Sequence, residues 1–215
     1  MQACSWNTDL IYRIGKAVGD EVVENNITTW LAPGMNIHRN PKCGRNFEYY
    51  SEDPLHTGKC AAAVIKGCQS AGAATSAKHL CCNNKEIKRF EYDCAVSERA
   101  IREIYLKGFE IAVREADPMT LMTCYNRLNG WYVSESYDIL TGIVRGEWKY
   151  DGLIISDRGS LSEPYLDILA GNNVHMPQIN AERLCLAIEA GYITRKQIED
   201  NVKRVLTFIL KLALK

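Results

Sequence analysis

Short apolar runs rich in β-branched residues alternate along this chain with longer segments in which apolar residues recur at helical spacing. The runs at 26–32, 73–79, 119–125 and 152–156 are too short for buried helices and read as strands. Asn172-Asn-Val-His-Met-Pro177 is a weaker fifth candidate. Amphipathic helices are expected at 9–24, 57–71, 97–115 (with Ser97 as N-cap) and 136–146, and two more near 180–190 and 195–213. Parallel strands cannot be joined by tight hairpins, so this alternation implies a parallel sheet with crossover helices. The expected fold class is α/β, a single domain over residues 1–215, with a partial TIM-like (β/α) barrel or a doubly wound sheet as its form. Five strands would leave an eight-stranded barrel incomplete.

The residues at the strand ends favour the barrel. Arg45 and Glu48, Lys78-His79, Tyr125, Asp157 and His175 succeed one another after consecutive strands. A barrel presents all its strand-to-helix loops on one face, where catalytic side chains collect. Asp157 is the most pointed of these, because Leu153-Ile-Ile155 stops at Ser156 and delivers a carboxylate, with Gly159 close behind. It is a candidate nucleophile or general base, or a structural aspartate capping the next helix. Lys78-His79 can donate to the hydroxyls of a polar substrate, or form a salt bridge and a buried backbone contact. Arg45 beside Glu48, Glu52 and Asp53 can clamp sugar hydroxyls or form a surface ion-pair cluster. These charges lie in a loop of about 34–55, a length usually functional or disordered.

Other classes lack support. Lys+Arg and Asp+Glu balance at 26 each, giving no electrostatic case for nucleic acid or a membrane surface. No apolar run approaches the roughly 18 residues of a membrane span, and the N-terminus lacks the pattern of a secretion signal. Four histidines without metal-ligand spacing make a catalytic metal unexpected, and no other cofactor is implied. Neither a Gly-x-Ser-x-Gly elbow nor a phosphate-binding glycine loop occurs. The nine cysteines form no Cys-x-x-Cys pair and read as reduced core residues of a cytoplasmic protein.

Longer stretches carry a family resemblance. Leu31-Ala-Pro-Gly-Met-Asn-Ile-His-Arg-Asn-Pro41, Gly44-Arg-Asn-Phe-Glu-Tyr-Tyr-Ser-Glu-Asp-Pro54, Lys78-His79-Leu80, Asn83-Asn84 with Glu86 and Arg89, Ser97-Glu-Arg99 and Ser156-Asp157 resemble glycoside hydrolase family 3, nearest its bacterial β-glucosidase branch. The resemblance implies the family's N-terminal barrel-like domain and retaining hydrolysis of terminal β-D-glucosyl residues. It implies Asp157 as nucleophile, with Arg45, Lys78, His79 and Tyr125 lining the subsite for the terminal sugar. Arg158 stands where the family usually has a sugar-walling Trp, so it is expected among the substrate-binding residues, as a charge beside the nucleophile. Leu80 replaces a usual Phe, and Asn173 a usual Asp. Lys78 and Arg45 are expected to favour the ionised form of Asp157.

The resemblance also implies that the family's first barrel strand would precede residue 1. Its acid/base would come from a sandwich domain beyond residue 215. Weak or absent turnover of a β-glucoside or oligosaccharide is the resulting expectation for the chain alone. The alternative is a non-catalytic carbohydrate-binding or assembly module of the same fold, which self-associates or takes up a complementary domain.

Overall fold

The computed structural model describes residues 2–177 and 179–213. Its strands are β1 (Thr29–Trp30), β2 (Ala74–Leu80), β3 (Asp93–Cys94), β4 (Thr120–Thr123), β5 (Arg127–Leu128), β6 (Trp131–Tyr132) and β7 (Leu153–Ser156). Its α-helices are α1 (Thr8–Glu24), α2 (Pro54–Ser70), α3 (Glu98–Ala100), α4 (Lys107–Ala116), α5 (Pro164–Ala170), α6 (Ala181–Glu189) and α7 (Arg195–Ala213). Two π-helical stretches, Ile101–Tyr105 and Asp138–Glu147, occupy places where ordinary helix is expected.

Each long crossover has a local cause. The Asn7 side chain accepts the Leu10 N–H to open α1, and Asp53 accepts the Leu55 and His56 N–H groups to open α2. Ser97 accepts the Ala100 N–H, as its position suggests. Pro164 sits in the first turn of α5, where its missing donor costs nothing.

The main sheet runs β1-β2-β4-β7, and every pairing in it is parallel. Strand order follows chain order, as in a barrel wound in one direction. The fifth strand reduces to one residue, Val174, which bridges Ile155. Just before it the Asn173 side chain extends the edge by accepting the Ile154 N–H at 2.9 Å, and after it the Ser156 N–H reaches Val174 O at 2.8 Å. All four residues of β4 and of β7 are buried, the signature of a sheet covered on both faces. The result is the α/β architecture of a partial (β/α) barrel.

Packing is tightest on the outer side, where α1 lies on α2. Gly15 and Gly19 of α1 and Gly67 of α2 let the two backbones meet: an added Cβ at Gly67 would stand 2.1 Å from the Tyr12 carbonyl oxygen. A small antiparallel pair, β5-β6, turns at Asn129-Gly130 with φ of 51° and 92°, and β3 joins it in parallel. At the other end of the chain α7 buries none of its residues, and Leu206, Ile209 and Leu210 are each more than half exposed. No helix among the described residues is long and apolar enough to cross a membrane. All nine cysteines are free thiols.

Candidate active site

Pairing does not stop at the strand ends. The Met35 N–H reaches Lys78 O at 2.7 Å, Cys124 N–H reaches Leu80 O at 2.8 Å, and Asp157 N–H reaches Thr123 O at 3.0 Å. These bonds hold the residues past β1, β4 and β7 in register with the neighbouring strands, so their side chains converge on one edge of the sheet.

Arg45 is at the centre. It comes from the long loop after β1, where a short 3-10 turn at Asn46–Glu48 brings Glu48 back onto it. Its Nε bonds the Glu48 carboxylate, its Nη2 lies 2.9 Å from His79 Nε2, and its Nη1 donates to the Tyr125 hydroxyl at 3.3 Å. Burial opposes its charge, yet Glu48 overrides that and raises its pKa above the ordinary arginine value. Lys78 Nζ lies 3.7 Å from the other Glu48 oxygen. One carboxylate therefore anchors both cations.

The loop after β2 closes the far side. The Tyr125 hydroxyl donates to Glu86, whose oxygens lie at 3.0 and 3.2 Å, and it receives Asn83 Nδ2 at 3.5 Å. Arg89 pairs with Glu86 at 3.3 Å and lies over the Tyr125 and Phe90 rings. Phe90 packs on Tyr125 with ring centroids 5.1 Å apart, and reaches toward Gly159.

Asp157 stands at the tip of β7 with its side chain 15% exposed. Its Oδ1 accepts the Arg158 backbone N–H at 2.7 Å. Its Oδ2 accepts no hydrogen bond from any described residue. His79 Nε2 is 3.5 Å from that oxygen, but the contact is no ion pair. Burial, then the Arg45 and Lys78 charges, hold the His79 pKa well below its usual value, so the ring is neutral.

Burial also raises the Asp157 pKa above the ordinary aspartate value; the Arg158 N–H, Arg45, Lys78 and Arg89 pull the other way and lose. This corrects the expectation that the cations favour the charged form on balance. Desolvation at the strand tip outweighs them, because Glu48 and Glu86 already occupy much of the neighbouring positive charge.

Of the residues singled out from sequence, the structure brings together Arg45, Lys78, His79, Tyr125 and Asp157. It leaves Arg158 outside: its side chain is exposed and, among the described residues, makes no ion pair with Asp157, touching it only through the backbone. His175 lies apart as well, its Nδ1 2.7 Å from the buried Asp167 carboxylate, which also accepts Ser162. Asn36 and Tyr49, both buried against His79, were not legible as site residues. The signals for Asn36 were its place in the stretch Leu31–Pro41 and a polar residue between Met35 and Ile37. A cavity of about 330 Å³ lined by Trp30, Phe47, Glu48, Tyr49 and Lys78 adjoins the cluster. A cavity of about 380 Å³ under α7 opens at the opposite end of the strands and holds none of these residues. No group of three or more His, Cys, Asp or Glu among the described residues is arranged to hold a metal.

Half-buried cations, neutral donors and one unbonded carboxylate oxygen suit a neutral, hydroxyl-rich ligand and attack by that oxygen. The model of the glycosyl hydrolase family 3 N terminal domain matches residues 1–208. The chain is 49% identical over 199 residues to β-glucosidase A of Butyrivibrio fibrisolvens, covering 93% of this chain and 24% of that protein. With thermostable β-glucosidase B of Acetivibrio thermocellus it is 41% identical, over 96% of this chain and 28% of that protein. The structure of β-glucosidase 3B from Thermotoga neapolitana in complex with glucose superposes with a TM-score of 0.94 at 42% identity, covering 98% of this chain and 31% of that one. The chain thus spans about a quarter to a third of the length of these relatives. It belongs to glycosyl hydrolase family 3, within that family's N-terminal domain.

Proposed function

We propose that this chain carries the sugar-binding and nucleophilic half of a retaining β-glucosidase site, acting on terminal β-D-glucosyl residues. Asp157 Oδ2 attacks the anomeric carbon as the bond to the leaving-group oxygen breaks, giving a glycosyl ester that water then hydrolyses. Arg45, Lys78, His79 and Tyr125 hold the hydroxyls of the terminal sugar. The observation that carries this reading is the state of Asp157 Oδ2, shielded from solvent and given no hydrogen bond by any described residue, beside cations that are all engaged. Relatives sharing the fold are β-glucosidases, and one holds glucose.

A retaining mechanism also needs a proton donor about 5–5.5 Å from the nucleophile. Glu48 is committed to Arg45 and Lys78, and Glu86 to Arg89 and the Tyr125 hydroxyl. Neither is poised to protonate a leaving group. Turnover by the chain alone therefore depends on leaving groups that depart unprotonated. An aryl β-glucoside with an acidic phenol is expected to be cleaved about 10²–10⁴-fold faster than a β-linked disaccharide, the usual contribution of a general acid. Steady-state rates on the two substrates check this. Equal inactivity on both, joined to self-association in light scattering, would favour a non-catalytic assembly module.

The raised Asp157 pKa adds a pH signature. Only the carboxylate attacks, so activity falls as Asp157 takes up its proton. The acidic limb of kcat/KM on the aryl glucoside is expected above the titration range of a free aspartate. A limb at or below that range would show that burial does not govern this group.

A further inference from the structure

Asn36, 2% exposed, bonds His79 three times. Its Oδ1 accepts the His79 backbone N–H at 2.8 Å and lies 3.3 Å from ring Nδ1, while its Nδ2 donates to the His79 carbonyl at 2.8 Å. The backbone pair decides which end of the amide is oxygen. A flipped amide would set its NH₂ against the N–H and its oxygen against the carbonyl. Nδ1 therefore faces an acceptor. On the far side of the ring, Nε2 faces Arg45 Nη2 at 2.9 Å, and a guanidinium has donors only. A neutral imidazole carries one proton, and both sides place it on Nδ1. The Tyr49 hydroxyl, 3.3 Å from Nδ1, receives Asn83 Nδ2 at 3.2 Å and fits the same arrangement as a second acceptor.

The alternative tautomer would matter to the nucleophile. An Nε2–H would point at Asp157 Oδ2, 3.5 Å away, and occupy the one carboxylate oxygen that is free. We propose that Asn36 is a positioning residue that locks His79 as the Nδ1–H tautomer, so that Nε2 spends its lone pair on Arg45 and leaves Asp157 Oδ2 free as an acceptor. A free carboxylate oxygen takes a ligand group with a proton to give, a sugar hydroxyl, and disfavours a carboxylate or carbonyl at the same place. The ligand half of this statement rests on the glucosidase reading; the tautomer does not.

The test is nuclear magnetic resonance on protein carrying ¹⁵N-histidine, with the His79 signals identified by their loss in His79→Gln. Wild-type protein is expected to show Nδ1 protonated and Nε2 bare, and a protonated Nε2 overturns the proposal. Arg45→Met removes the guanidinium but keeps Asn36, and the proton is expected to stay on Nδ1. Its transfer to Nε2 in that single variant would make Arg45 the controlling group and overturn the role of Asn36. In Arg45→Met/Asn36→Leu the proton is expected to move to Nε2, toward Asp157, and persistence on Nδ1 there also overturns it. Should the double variant not fold, the wild-type and Arg45→Met spectra still decide. No turnover enters the readout, so its failure is separable from failure of the glucosidase reading.

Discussion

Asp157→Asn is expected to lower kcat for an activated aryl β-glucoside by roughly 10⁴-fold or more, the scale of loss when a covalent nucleophile is removed. The amide is nearly isosteric, but its nitrogen has no lone pair available to form a glycosyl ester. The fold has little reason to object. The amide oxygen can still accept the Arg158 N–H, now held by Asp157 Oδ1 at 2.7 Å. The new NH₂ falls where Oδ2 stood, 3.5 Å from His79 Nε2, and no hydrogen bond to that oxygen is lost in the exchange. The loss should therefore appear in kcat with only a small change in KM, the pattern of an interaction used in the chemical step. Steady-state kinetics of wild type and variant measure it, and denaturing mass spectrometry of wild type mixed with a slow substrate locates the glycosyl ester. A variant keeping a tenth of the wild-type rate would place the nucleophile elsewhere.

Gly67→Val is the second large effect, and it concerns stability. An added Cβ at Gly67 would stand 2.1 Å from Tyr12 O and 2.8 Å from Lys16 N, both backbone atoms of α1. No rotamer change can relieve a clash with backbone, so α1 must lift from α2. The seam is tight from the other side too, where a Cβ on Gly15 would meet Val64 O at 2.4 Å and one on Gly19 would meet Cys68 O at 2.6 Å. A cost of about 3 kcal/mol or more is expected, at the upper end for overpacking. For a chain of this size that lowers Tm by roughly 6–12 °C. Gly142→Ala is the matched control. It sits in the π-helical stretch Asp138–Glu147, and its added Cβ would find only Tyr137 O, at 3.9 Å. Its effect should stay within about 1 kcal/mol, on the stabilising side. Thermal unfolding of the two variants beside wild type decides the matter, and equal midpoints would mean that α1 yields easily.

Much of the architecture was legible because period and burial agree. Leu153-Ile-Ile155 and Thr120–Thr123 are apolar or β-branched throughout, and both strands are buried on both faces. The misses have separate causes. The β5-β6 hairpin lies outside the expected elements although Asn129-Gly130 is a strong two-residue turn signal. Helix α5 is seven residues long and opens on Pro164, so it lacks a readable period and begins on a residue that looks like a breaker. The π-helical stretches are set by tertiary packing, which leaves no mark in local propensity.

At the site, residue types at strand ends pointed to Arg45, Lys78, His79, Tyr125 and Asp157, which do converge. The direction in which Arg158 points was beyond reach, since one residue past a strand tip either face is open to a side chain. The net shift of Asp157 was equally hidden. It depends on how far Glu48 and Glu86 have already engaged the neighbouring cations, and that is a matter of distances.

Arg45, His79, Tyr125 and Asp157 each reach the cluster by a different route through the sheet, so the cluster exists only once the order β1-β2-β4-β7 is complete. Contacts between residues so distant in sequence are late rewards in folding, because the intervening loops must close first. Occupancy then works as a fastener. A small neutral sugar bound to all four would pull on every strand of the sheet at once, adding RT ln(1 + [L]/Kd) to the stability of the whole rather than to one loop. A weak ligand in excess would then serve this chain as a folding aid, whatever its rate as a catalyst.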